Sequence, residues 1–184
     1  MTRPNILLVT VDSLRADHMS ACDSESPVEA PNIDRVGERG TTYTDAIAQG
    51  PFTTFSMPSL FTSRYPSGLQ YVELGTDIVG VYPDDTVRTL TECLADSGYR
   101  TAGFHSNPLL SNLFDFDRGF QVFDADLPFA TLSVPDRFKL LTNKIRRLFR
   151  KHAYIPAETI TDRVTSWVGD QNEDSPFFVW AHYM

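Results

Sequence analysis

The stretch PNILLVTV, residues 4–11, is apolar at almost every position and rich in β-branched side chains. Such an unbroken run predicts a strand buried on both faces, as in a parallel sheet. PNIDRVGERG (31–40) opens on Pro, places Ile33 and Val36 three residues apart and closes on Gly40, the pattern of a short helix. TTYTDAIA (41–48) reads as a strand, and PSLFTSR (58–64) as a helix with Pro58 in its first turn. Residues 84–98 predict a helix capped by Asp84 or Asp85, with Val87, Leu90, Cys93 and Leu94 on one face and Gly98 at its end. RTAGFHS (100–106) then returns as a strand, a helix–strand unit typical of a crossover. DRFKLLTNKIRRLFRKH (136–152) has the pattern of a basic amphipathic helix, AETITDRVTSWVGD (157–170) of another helix, and PFFVWAHYM (176–184) of a last buried strand.

Strands alternating with helices predict an α/β fold with a mostly parallel sheet, and no repeat or linker divides residues 3–184. The chain stops at Met184 inside an apolar strand, so the expectation is a truncated domain.

Composition narrows the class. Of the 184 residues 41% are hydrophobic and 12% aromatic, which excludes a disordered chain. No apolar run approaches the roughly 18 residues of a membrane-spanning helix. The first apolar segment lacks a small-residue cleavage site, so a cytoplasmic protein is expected. A net charge of -8 and a pI near 4.9 argue against nucleic acid as partner. Asp outnumbers Glu 17 to 7 and Arg outnumbers Lys 13 to 3, the acidic, Lys-poor surface of a halophilic-like protein. Cys22 and Cys93 are far apart with no CxxC spacing and read as free thiols. The seven Lys and Arg residues of 136–152 raise the question of membrane contact, but an acidic chain opposes approach to anions, so that helix is expected to pack on its own domain.

Candidate chemistry collects where ligands meet open α/β sheets, at the carboxyl ends of strands. Asp12 ends the first strand there. It is either a ligand for a hard divalent metal or the cap of a helix over SLRADHM. Asp17 and His18 follow on what reads as a solvated face. GPFTTFSMPSLFTSRYP (50–66) holds five hydroxyls, Thr53, Thr54, Ser56, Ser59 and Thr62. A hydroxyl on a strand-to-helix turn lies beside the partial positive end of a helix, which favours an anionic ester. Metal coordination would activate it, so Asp12 and Thr53 could act through one ion. The alternative is that these hydroxyls only cap and turn the chain.

RPNILLVTVDSLRADHMSAC, APNIDRVGERGTTYTDAIA, LFTSRYPSG, LTECLADSGYRTAGFHSNPLLS, FDFDRGFQVFD and PFFVWAHYM together resemble the N-terminal portion of the sulfatase family, within the alkaline-phosphatase superfamily. The resemblance implies an alkaline-phosphatase-like three-layer sandwich, a divalent metal (Ca²⁺ first, with Mg²⁺, Mn²⁺ or Zn²⁺ as alternatives) and hydrolysis of sulfate esters of small molecules or glycans. Asp12 matches the first Asp of the family's metal-binding pair, and Ser13 replaces the second. Counting back from LFTSRYP puts Thr53 at the nucleophile; reading SMPSL locally puts Ser56 there instead. Thr53 is preferred, because the helix spacing fixes where the turn meets the sheet. Threonine carries a methyl group on Cβ and cannot become formylglycine, so a covalent sulfo- or phospho-threonine is the expected intermediate. Superfamily phosphodiesterases and phosphotransferases with a Thr nucleophile are therefore the alternative, and a non-catalytic remnant is the third reading, since the family's other metal ligands lie beyond residue 184. At the family's Lys-containing strand end stands GFHSNP, where His105 or Asn107 would contact the ester oxygens. Arg64 is expected to pair with carboxylates, and His182 to be a strand residue.

Overall fold

The computed structural model describes residues 3–74, 77–125, 155–172 and 175–184. The backbone forms two compact units, one of residues 11–48 and one of residues 1–10 with 49–184. The larger unit carries β1 (Ile6–Val11, its last residue crossing the boundary), β2 (Gln70–Leu74), β3 (Asp77–Tyr82), β4 (Arg100–Phe104), β5 (Val122–Asp124) and β6 (Phe177–Tyr183). The smaller unit holds helix α1 (Pro31–Arg39); the larger holds α2 (Thr53–Thr62), α3 (Leu90–Asp96) and α4 (Ala157–Gly169).

Four strands build the main sheet in the order β1-β6-β4-β5. β4 runs parallel to β5 and to β6, with Arg100 opposite Phe177 and Phe104 opposite Ala181. At one end of β1 the Asn5 side chain accepts the Phe177 N–H at 3.0 Å; at the other, Thr10 meets His182. Both strands therefore advance together, and β1 is parallel to β6. One face of the sheet buries Phe178 and Trp180 against Met57 and Phe61 of α2, with Ile6 and Leu8 of β1 completing the layer. The opposite face buries Ala102, Phe104, Val179 and Ala181 under Ile160 and Val164 of α4. An α/β fold with a mostly parallel central sheet is what the alternation of elements predicts.

Four elements differ from the sequence expectations. β1 is not buried on both faces: α4 covers β4 and β6, and Leu7 and Val9 stay 59% and 50% exposed beyond it. Residues 41–48 form a loop with a turn at 44–45 rather than a strand, and the Thr44 hydroxyl bonds its neighbour Asp45 at 3.1 Å, a local contact of the kind that competes with a ladder. The helix expected at 58–64 begins five residues earlier, at Thr53, because the Phe52 carbonyl already accepts the N–H groups of Phe55 and Ser56 at 2.9 and 3.0 Å. α3 begins at Leu90, not near Asp84. The Asp84 side chain turns back to the Thr86 N–H at 2.7 Å, and Arg118 takes the carbonyls of Asp84 and Val87 at 3.1 and 2.9 Å. Thr89 is the cap instead, in a reciprocal box with Glu92. The antiparallel hairpin of β2 and β3 is an addition that the hydrophobic pattern did not announce. The basic segment 136–152 lies outside the described residues.

Candidate active site

α2 starts without a side-chain cap. Phe52 stands at its N-cap in extended conformation, and its ring offers no acceptor. Thr53, half-buried, is the first helical residue, where the partial positive charge of the peptide dipoles is concentrated. The five hydroxyls of this stretch then divide by position. Ser56, Ser59 and Thr62 donate to the carbonyls four residues back, of Phe52, Phe55 and Pro58, at 3.2, 2.8 and 2.8 Å. These bonds tie the hydroxyls to the helix wall. Thr54 packs against the hairpin: a Cβ on Gly80 would stand 2.7 Å from the Thr54 Cβ, so β3 needs glycine there. Thr53 heads the helix, as its first residue. Pro58, inside the helix, brings no N–H to the Thr54 carbonyl; the helix continues because that bond is the only one proline removes.

The strand end after β4 holds GFHSNP. His105 is 1% exposed and lies between the rings of Phe123 and Trp180, with centroids 5.1 and 5.3 Å away. Its Nδ1 accepts the Asn107 backbone N–H at 3.2 Å, which puts the proton of the neutral ring on Nε2. Burial, and next the neighbouring His182, push its pKa down to about 3. Its Nε2 and the Ser106 hydroxyl are buried with no hydrogen-bond partner among the described residues. Asn107 is also buried, and its side-chain oxygen accepts the Leu109 N–H at 3.0 Å, capping the turn Pro108–Leu110. That turn packs against α2, so the loop after β4 and the helix headed by Thr53 are neighbours.

One position beyond the Phe104–Ala181 pair, His105 stands beside His182. His182 is a strand residue, as expected, but it is not inert. Trp180 donates its indole N–H to the Thr10 hydroxyl at 2.9 Å, and that hydroxyl meets His182 Nδ1 at 2.9 Å. Since the indole can only donate, Thr10 accepts from it and has one proton left for Nδ1. Thr10 was legible as the lone polar side chain in the apolar run ILLVTV, a signal the strand reading passed over.

Within the smaller unit, Asp12 directly follows β1 and is half-buried. The Ser13 hydroxyl donates to its Oδ1 at 3.0 Å, and Ser13 itself takes a left-handed backbone, φ 58. The helix that Asp12 was to cap is a single turn, Ala16–His18, entered from Arg15. The capping alternative for Asp12 therefore falls. Asp17 is held by Arg15, and then by His18, in an exposed cluster that keeps its carboxyl well below the ordinary range. Arg64, expected to pair with carboxylates, makes no hydrogen bond or ion pair with a described residue; its charge is a minor influence on Asp84.

A family model described as Sulfatase matches residues 4–184. Human steryl-sulfatase is 36% identical over 108 residues, which are 55% of this chain and 18% of that protein. Among solved structures, BT4656 in complex with its substrate D-glucosamine-2-N,6-O-disulfate superposes with a TM-score of 0.69 at 19% identity, covering 99% of this chain and 34% of that one. The phosphonate monoester hydrolase of Agrobacterium radiobacter gives a TM-score of 0.64 at 18% identity, over 99% of this chain and 41% of that one. The chain thus spans about a fifth of its curated relative and a third or more of these solved chains, and their fold is the alkaline-phosphatase-like one. With the match running from the first strand to the last, this chain belongs to the sulfatase family.

Proposed function

We propose that the chain forms part of a sulfate-ester hydrolase whose nucleophile is Thr53. The observation that carries the choice of residue is the place of Thr53 as the first residue of α2, at the positive end of the helix, with Ser56, Ser59 and Thr62 lying further along it. An anionic sulfate group approaching that end is favoured by the dipole, and the charge that grows on its oxygens during attack is favoured more. Thr53 Oγ1 forms a bond to sulfur as its proton passes to solvent, the bond from sulfur to the ester oxygen breaks, and that oxygen takes up a proton from solvent to leave as the alcohol. Water then releases sulfate from the sulfo-threonine.

The family implies a divalent ion, which when bound would lower the pKa of a coordinated hydroxyl. Asp12 offers the hard carboxylate oxygen that Ca²⁺ or Mg²⁺ prefers. Among the described residues, however, no three His, Cys, Asp or Glu side chains gather into a group able to hold an ion. One carboxylate does not make a site. Asp12 remains proposed as a single ligand, and Ca²⁺ as the first ion to try.

A second reading is transfer or hydrolysis at phosphorus. The threonine itself favours it, because Thr53 cannot yield the aldehyde of formylglycine, and the fold likeness to a phosphonate monoester hydrolase is consistent with it. Assays with para-nitrophenyl sulfate and bis(para-nitrophenyl) phosphate separate the readings. Preference for the sulfate, abolished by Thr53→Ala and largely kept by Ser56→Ala, is the expected result. Preference for the diester would move the assignment to the second reading.

A further inference from the structure

At the carboxyl end of α2, Gln49, Ser59, Leu60, Ser63, Arg64 and Tyr65 enclose a groove of about 340 Å³. Thr53, Ser56 and Leu60 recur at helical spacing, so the groove opens on the face of α2 that Thr53 heads. At 1.5 Å per residue, Thr53 and Ser63 are separated by about 15 Å along the axis. A small ester held at Thr53 does not reach the groove; a chain of several linked units does.

The lining says what kind of unit fits. Arg64 presents a guanidinium that no described carboxylate or carbonyl engages, and Asp84, which feels its charge, is turned to Thr86 instead. In a chain of net charge -8, an uncommitted arginine in a groove is a place for a planar anionic group such as a carboxylate or sulfate. Tyr65 is 74% exposed beside it and offers an aromatic face with a polar tip. Ser63 adds a hydroxyl. A steroid would offer nothing to the Arg64 guanidinium and the Ser63 hydroxyl, whereas a sugar unit has an apolar face for Tyr65 and hydroxyls or a charged group for these two.

We infer that this groove is an accessory subsite for an anionic sugar unit of an oligosaccharide ester, with Arg64 pairing its charged group and Tyr65 packing on its ring. The inference rests on the sulfate-ester reading for its substrate class, but binding tests it without turnover.

The experiment is calorimetric titration of the protein with a heparin-derived hexasaccharide and, separately, with glucosamine disulfate. Wild type is expected to bind the hexasaccharide more tightly than the monosaccharide. Arg64→Ala and Tyr65→Ala should each weaken hexasaccharide binding by about tenfold or more, with Arg64→Lys recovering part of the loss. Both groove residues are exposed, and thermal melts of each variant check that the fold is kept. Hexasaccharide affinity unchanged in both alanine variants, or no binding by wild type, would overturn the subsite. Loss of turnover without loss of these binding differences would leave the subsite standing and bear only on Thr53, and activity that survives in Thr53→Ala would overturn the nucleophile alone.

Discussion

The Arg118 guanidinium clasps both carboxylate oxygens of Glu92, with its Nη2 at 3.0 Å from Oε1 and 3.1 Å from Oε2. Glu92 already accepts the Thr89 N–H at 2.8 Å in the capping box of α3, and Arg118 also holds two carbonyls of the preceding loop. Gly119 makes the approach possible: at φ 82 it brings the backbone so near that a Cβ would stand 2.4 Å from the Glu92 nitrogen. Arg118→Ala would leave a largely buried carboxylate without its cation and two carbonyls without their donor. A loss of about 2 kcal/mol in unfolding free energy is expected, since both side chains keep some solvent contact. Urea denaturation measures it, and a loss within about half a kcal/mol of zero would show the pair to be ornamental.

Acid should destabilise the protein through His105. Burial, with His182 beside it, holds its folded pKa near 3 against an ordinary value of 6.5. The unfolded chain therefore binds a proton that the folded one refuses, and stability falls as pH drops from about 6.5 towards 3. Glu92 adds to the lower part of that window. Burial raises its pKa, but the Thr89 N–H and Arg118 outweigh burial and hold it below its ordinary 4.5, so its stabilisation is lost as pH falls beneath that value. His105→Gln removes only the first contribution. Melting temperatures followed from pH 7 downwards should fall less steeply for the variant between about pH 6.5 and 5. Parallel curves for the two proteins would refute the assignment.

Long periodic segments were legible because their side chains decide their structure. PFFVWAHYM could only be a buried strand, and AETITDRVTSWVGD carries its apolar face to the sheet in the structure. Boundaries were less legible where a distant residue fixes them. The start of α3 depends on Arg118, 29 residues beyond Thr89, and nothing local near Asp84 announces it. β1 misled for a related reason, since an apolar run records what a face can bury and not whether a helix covers it. At the candidate site, the cluster of hydroxyls was legible, but Thr53 was expected on a strand-to-helix turn and instead begins the helix, with no strand at 41–48 before it, and the Trp180–Thr10–His182 chain joins residues about 170 apart in sequence.

Asp12 supplies a separate test of metal binding. Its carboxylate follows β1 and no longer has a capping role to explain it. Asp12→Asn keeps the shape and the Ser13 contact but removes the charge that a hard cation needs. Affinity for Ca²⁺ by calorimetry should weaken by about tenfold or more, equivalent to roughly 1.4 kcal/mol. Equal affinity in the two proteins would remove Asp12 from the ligand set whatever the activity does.

Thr53 poses a sharper question, because threonine differs from its neighbours in chemistry by one methyl group and one oxygen. Thr53→Val keeps the shape and removes the oxygen, so turnover should disappear. Thr53→Ser keeps the oxygen and removes the methyl, so a measurable part of turnover should survive; a serine at this first helical position also suits the backbone. Ser56→Ala loses only a back-bond to Phe52 and should change turnover little. Trapping during turnover, followed by peptide mass spectrometry, should find the added sulfo group on the peptide containing Thr53, with no aldehyde there or at Ser56. Turnover retained by Thr53→Val, or a sulfo group mapped to Ser56, would transfer the nucleophile to the second hydroxyl and reverse the argument drawn from the helix bonds.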